Sequence, residues 1–190
     1  STDMEHVLRS IVATFDKDRA AGRTIVYIGD GLSTANLLGT ESFGELVKTL
    51  TSAHVSVNSY AIGPQRDVQL LAALANHTGC NLYADEPMVR ADEKQGVDEN
   101  RATQENLRRG ATIGATLADW TRATVLWPAE VKWPAALGEV YPKTMPPLRT
   151  DRDTVVIGAA SAKLAGPIDI KASFTGDNGP VELQWNAGPQ

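Results

Sequence analysis

Residues 23–28, "RTIVYI", constrain the fold more than any other stretch of this chain. The run is β-branched and aromatic, and it places apolar side chains on both faces of the strand it predicts. Such a strand needs cover on both sides, the condition met in a parallel sheet flanked by helices. The neighbouring segments predict those helices. Met4, Val7, Leu8, Ile11, Val12 and Phe15 recur at helical spacing and form one apolar face. Thr2-Asp3-Met4-Glu5 reads as a capping box with Thr2 as N-cap, and Gly22 reads as the C-cap.

The alternation continues. A helix-like run follows "IGDGLS", and a second helix is expected over residues 42–53, with Phe43, Leu46, Val47 and Leu50 on one face. Residues 55–63, "VSVNSYAIG", predict the next strand. A third helix follows Pro64, is buried through Val68, Leu70, Leu71, Leu74 and Ala75, and is stopped by Gly79. "CNLYA" is a short last strand. The order α-β-α-β-α-β implies parallel strands joined by right-handed crossovers.

The character changes after residue 84. Residues 85–105 are polar and charged, and read as a solvated linker. A helix is expected near residues 103–120, although Gly110 and Gly114 weaken it. The remainder is β-rich. "TRATVLW" and "DTVVIGAA" are apolar and β-branched, while "PIDIKASF" and "PVELQW" alternate and are joined by the turn sequence "TGDNG". "WPAALGEVYPKTMPPL" is held extended by its prolines. The fold class is therefore α/β, a partial parallel sheet with flanking helices over residues 1–84, followed by a helix and a small antiparallel β module over residues 106–190.

Composition narrows the function. The net charge of −5 comes without a basic stripe, which argues against nucleic acid as a partner. No apolar run reaches the length of a membrane span. Cys80 is the only cysteine, so an internal disulfide and a Cys/His metal spacing are both excluded; it reads as a small buried hydrophobe. His6, His54 and His77 fall on a polar helix face, a helix-to-strand turn and a last helical turn. Trp120, Trp127, Trp133 and Trp185 either fill the β core and its seam or form an exposed sugar- or peptide-binding platform. The chain opens at Ser1 without a Met, which leaves a lost signal segment open.

Asp30 is the principal candidate. It lies between Gly29 and Gly31, just past a strand end, where a carboxylate can hold a metal, assist chemistry or accept backbone N–H groups in a turn. Ser33 and Thr34 beside it read as caps of a following turn or as supporting ligands. There is no Walker lysine and no three-glycine dinucleotide fingerprint.

In these residues the chain resembles a known family. "RTIVYIGDGLST", a helix, "VSVNSYAIG" and "DVQLLAALANHTGCNLY" resemble, in order and spacing, the C-terminal half of a von Willebrand factor type A domain over residues 4–84. Residues 138–161 resemble the β segment after that domain in bacterial relatives of inter-alpha-trypsin inhibitor heavy chains, through Tyr141, Pro142, Pro146, Leu148, Val155, Val156 and Gly158. The resemblance implies a non-enzymatic binding or adhesion module, part of a larger protein, placed outside the cytoplasm. It also implies Mg²⁺ in the intact parent, held at a metal-ion-dependent adhesion site and completed by a partner carboxylate. Of that site only Asp30 falls in this chain. The D-x-S-x-S motif is absent, and Gly29 stands where the family commonly has Thr, so no cofactor is expected in this chain alone. Half a parallel sheet leaves an open edge, so a protein partner or self-association is expected. Two alternatives stand beside this reading. One is a purely structural module. The other is a hydrolase, since "IGDGLS" is similar to the block of the GDSL esterases; but Gly31 takes the nucleophile's place and no histidine follows His77.

Overall fold

The structure is a computed structural model that describes residues 3–16, 22–35, 37–84, 98–160 and 166–188. Its first part runs α1 (Met4–Val12), β1 (Arg23–Gly29), α2 (Thr40–Ser52), β2 (Val55–Ala61), α3 (Val68–His77) and β3 (Leu82–Ala84). The three strands form a parallel sheet in the order β1-β2-β3, with Ile25 opposite Val57 and Ser59 opposite Leu82. Sequential strand order with right-handed crossovers puts α2 and α3 on one face. The core shows this directly. Met4 and Leu8 of α1, Leu46 and Leu50 of α2, and Leu71 and Leu74 of α3 close over Ile25, Val55, Val57 and Ala61.

The other face is covered differently. It carries Thr24, Val26 and Ile28 of β1 and Ser56, Asn58 and Tyr60 of β2, since side chains alternate along a strand and paired residues share a face. The long helix α4 (Glu99–Arg122) packs here against β1 and β2, burying Ala102, Ile113 and Leu117, and Trp120 meets the ring of Tyr83. One helix does not span the face. Val26 remains 38% exposed and Ile28 57% exposed. The expectation that β1 is buried on both sides is thus corrected: its second face is half open.

Beyond α4 come β4 (Val125–Lys132), β5 (Leu137–Tyr141), β6 (Leu148–Arg149), β7 (Ile157–Ala160), β8 (Ile168–Gly176) and β9 (Gly179–Ala187). One antiparallel sheet has the order β6-β4-β8-β9, and β5 and β7 pair separately. β4 passes through Pro128, which cannot donate to the ladder, and the register shifts between Pro128 and Glu130 to accommodate it. The β8–β9 ladder closes at Gly176 and Gly179 around a two-residue turn, with Gly179 at φ +113°, as the turn sequence requires. Trp127 and Phe174 are buried in this sheet, Trp120 and Trp133 are half-buried, and Trp185 is 39% exposed.

Several local expectations are corrected. The N-cap of α1 is Asp3, whose carboxylate accepts the His6 N–H at 2.9 Å, while Glu5 turns to Arg9 instead of back to the cap; Thr2 lies outside the described residues. The helix closes at Ala13, far before Gly22, because the Thr14 amide and hydroxyl both bond to the Ile11 carbonyl and tighten the last turn. Val7, assigned to the apolar face, is 45% exposed. No helix follows "IGDGLS" directly; the next one begins at Thr40. β2 stops at Ala61, before Gly63 at φ +102°, and only residues 157–160 of "DTVVIGAA" form a strand. Residues 99–105, expected as linker, belong to α4, where Asp98 caps the first turn by accepting the Arg101 N–H at 2.7 Å. The rest of that linker reading, residues 85–97, lies outside the described residues.

Two glycines are expected to respond in opposite directions. Gly79 sits at φ +69°, and a Cβ there would lie 2.6 Å from the Cβ of Pro147 and 2.9 Å from Val125 Cγ1. Gly114 in α4 has open space around it. Gly79→Ala is expected to destabilise by about 2 kcal/mol or more through left-handed strain and overpacking. Gly114→Ala should stabilise by about 0.5–1 kcal/mol through helix propensity. Urea titration of both variants reads the two signs.

Candidate functional site

β1 ends at Gly29, and the loop that follows is built around Asp30. The Asp30 Oδ1 accepts the Leu32 N–H at 2.9 Å, an Asx turn. The Asp30 carbonyl accepts the Asp67 N–H at 2.8 Å, and the Gly29 carbonyl accepts the Ile62 N–H at 3.0 Å. The loops after β1 and β2 are therefore stitched together by backbone bonds. Gly31 is required at φ +78°, since a Cβ would meet Leu71 Cγ at 2.9 Å and the Asp67 carbonyl at 3.1 Å.

Tyr27 explains Gly29. Its ring folds back over the strand end, and its hydroxyl accepts the Gly31 N–H at 3.2 Å. A Cβ at residue 29 would lie 2.6 Å from that hydroxyl, so the tyrosine occupies the space that a threonine would need. Burial raises the Tyr27 pKa and the Asp30 charge adds to the rise, while the hydrogen bond from Gly31 opposes it.

The other candidates have their own tasks. Ser33 is buried and its Oγ accepts the Met4 N–H at 3.3 Å, so it fastens the loop to the start of α1. Thr34 is exposed. Asp67, the nearest other carboxylate in this loop pair, caps α3 by accepting the Leu70 N–H at 2.8 Å. Among the described residues no group of three or more His, Cys, Asp or Glu side chains is placed to hold a metal ion. A hard divalent cation takes about six oxygen ligands. Asp30 with one oxygen committed to an amide, and Ser33 committed to Met4, do not by themselves fit one.

His6 is exposed on α1, the helix whose start Ser33 holds, and the other two histidines pack elsewhere. His54 adopts φ +51° and stacks on Trp127 with ring centroids 5.2 Å apart, and His77 meets Phe43 edge-on at 6.1 Å. A serine hydrolase arrangement around Ser33 is not favoured, since Ser33 is buried and its Oγ is engaged by the Met4 amide.

A second polar cluster escaped the sequence reading. The Arg149 side chain is fully buried, and its Nε and Nη2 grip the two carboxylate oxygens of Asp151 at 2.6 and 2.7 Å. Nη2 also donates to the Trp120 carbonyl at 3.1 Å, and Nη1 to the Gly79 carbonyl at 3.4 Å. Asp151 accepts from the Asn81 side chain, whose backbone N–H donates to the buried Asn58 Oδ1; Asn58 in turn donates to Thr24. Arg152 donates to the carbonyls of Cys80 and Asn76 at the end of α3, where a cation suits the helix dipole. The network joins α3, α4, β1, β2 and β6. The only sequence signal was the charged run "RTDRD" after a proline-rich stretch. Cys80 is buried here, and burial raises its thiol pKa, which suits a packing role.

No protein-family model matches the chain, and no curated protein matches it in sequence. Solved structures do match. A von Willebrand factor type A protein from Catenulispora acidiphila superposes with a TM-score of 0.55 at 11% identity, covering 99% of this chain and 46% of that one. The human COPII-coat protein Sec24c superposes with a TM-score of 0.52 at 14% identity, covering 97% of this chain and 27% of that one. The chain thus spans less than half the length of either neighbour. At these identities the likeness shows the fold: α/β of the von Willebrand factor A type with a small antiparallel β module.

The Arg149 fork sets an acid dependence. Hydrogen bonds from Arg149 hold the Asp151 carboxyl below its ordinary range, against the smaller effect of burial. A carboxylate with a lowered folded pKa contributes stability above its unfolded pKa of about 4 and loses it as pH falls through the folded value. Asp151→Asn is expected to flatten the decline of Tm below about pH 4. Arg149→Met should cost about 2–4 kcal/mol at neutral pH by stranding the Gly79 and Trp120 carbonyls. Thermal melts between acid and neutral pH check both.

Proposed function

We propose that this chain is a non-enzymatic interaction module, part of a larger protein, that takes a protein partner on the open edge and open face of its parallel sheet. The observation that carries the reading is β1. It is the edge of the sheet, with β2 as its partner among the described strands, and Val26 and Ile28 project from its half-covered face. An edge strand offers unpaired backbone groups, and full burial of one such aliphatic side chain is worth about 1.5–3 kcal/mol. A strand added beside β1 would use both. The likeness to a coat protein supports an assembly role, and the span of less than half of each neighbour supports a longer parent. The parallel-sheet half and the antiparallel β module are proposed as its units, and the likeness of the latter to the inter-alpha-trypsin inhibitor segment belongs to this proposal as well.

The occupant of the edge is either a second copy or a segment supplied by the parent. Sedimentation velocity across micromolar concentrations separates these. Concentration-dependent association that is weakened by Ile28→Lys is the expected result for a second copy. A clean monomer with no bound peptide would sink self-association and leave the parent segment.

A divalent cation beside Asp30 enters this reading only for an assembly in which other segments supply the missing oxygens. Calorimetric titration of Mg²⁺ into the chain alone is expected to give no saturable heat. Saturable binding that disappears in Asp30→Ala would show instead that this chain completes the site by itself.

A further inference from the structure

The β8–β9 hairpin carries one apolar face, made of the cross-strand pairs Phe174–Val181, Ala172–Leu183 and Ile170–Trp185. Its cover is uneven. Phe174 and Ala172 are buried, whereas Trp185 at the far end is 39% exposed. There the stripe becomes one wall of an open cleft of about 380 Å³. Trp133, Ile170, Val156 and Trp185 give the cleft an apolar and aromatic lining, and Arg149, Arg152 and Thr154 give it polar groups. Trp185 is braced edge-on by Phe174 at 6.4 Å between centroids, so the aromatic wall is pre-positioned.

The polar side of the cleft has an excess of positive charge. Arg149 is neutralised by its two-pronged pairing with Asp151. Arg152 has no carboxylate in its hydrogen bonds; it meets only the carbonyls of Cys80 and Asn76. Burial, and then the charge of Arg149, disfavour its cationic form, and the Asp151 charge, already gripped by Arg149, opposes them less strongly. Its Nε and the Thr154 Oγ1 are both buried without a hydrogen-bond partner among the described residues. Unpaired buried donors are costly, and a cleft of this size with a few polar groups in an apolar lining has the build of a small-molecule site.

We infer that this cleft binds a small organic anion with a flat apolar body, an aromatic carboxylate in chemical class. The flat body packs against Trp133 and Trp185. The carboxylate offsets the charge of Arg152 and accepts from Arg152 and Thr154. Both polar atoms are buried while their residues line the cleft, so entry includes a side-chain rearrangement that uncovers them. A neutral alcohol of the same shape gains the packing without the charge. The site shares no residue with the open edge and face of β1, so it stands or falls independently of the proposed interaction function.

The probe is 1-naphthylacetate, with 2-(1-naphthyl)ethanol as its uncharged counterpart. Both are titrated into the chain by calorimetry, while the indole N–H resonances are followed by NMR. The expected result is one saturable site that shifts the Trp133 and Trp185 signals, with the alcohol about tenfold or more weaker. Arg152→Gln is expected to reduce acid binding to the level of the alcohol without changing alcohol binding. Arg152 also caps α3, so Thr154→Val and Trp185→Ala provide variants that leave that cap in place. Thr154→Val should weaken the acid selectively, and Trp185→Ala should weaken both probes. Equal affinity for acid and alcohol, unchanged binding in all three variants, or no shift of either indole at millimolar probe would overturn the assignment.

Discussion

The buried guanidinium of Arg149 is the contact on which the arrangement of this chain turns. It sits at the point where the end of α3, the end of α4 and the short strand β6 converge, and it bonds to carbonyls of two of them while Asp151 balances its charge. A buried ion pair is not a large source of net stability in itself, because desolvation offsets much of the attraction. Its value lies in geometry. A planar fork with fixed donor directions accepts only one placement of its partners. Gly79 acts at the same point: its left-handed turn lets Pro147 and Val125 approach the backbone closely. Together they set how the antiparallel module lies against the sheet.

That placement has a consequence for the sheet. Three helices crowd one face and build the main core, while among the described helices α4 is the one on the other. The imbalance leaves β1 with an open edge and two exposed aliphatic side chains. A parallel strand with apolar residues on both faces is normally covered on both. The sequence of β1 is thus suited to a more complete sheet than the described residues form around it, and this mismatch is what supports the proposal of an interaction surface on the open side.

The loop at Asp30 looks, in sequence, like a binding site, and in space it is first of all a structural joint. Asp30, Ser33 and Asp67 each spend a side-chain oxygen on a backbone amide, and Tyr27 fills the room above Gly29. Asp30 was legible as a residue with a special place, because an acid between glycines after a strand is a local pattern. Its turn to the Leu32 amide is local as well, but the distant contacts that hold the loop and the nearby cluster were not legible. The Met4 amide reaches Ser33 across 29 positions, and Arg149 reaches Gly79 across 70. Contacts of that separation leave no mark in any short window. The same limit hid the Arg149 cluster, whose signal was one charged run among several.

In the sequence by itself, local pattern was enough for the α1-β1-α2-β2-α3-β3 alternation of residues 4–84, the parallel pairing that this order forces, and the tight β8–β9 turn. Each of these follows from periodicity, β-branching, or glycine and proline chemistry acting over a few residues. Local pattern was not enough for the run after Gly31, which is no helix, nor for β5 and β6, which read only as an extended stretch. It overstated the linker and misplaced the caps of α1, where several polar residues compete for the same task. Only the tertiary structure decided which face of the sheet stays open, which side chains fill the Asp30 loop, and where the apolar stripe of the last hairpin runs out of cover. Those are outcomes of packing between distant segments, where the available volume and the fixed direction of each donor decide what no local pattern can record.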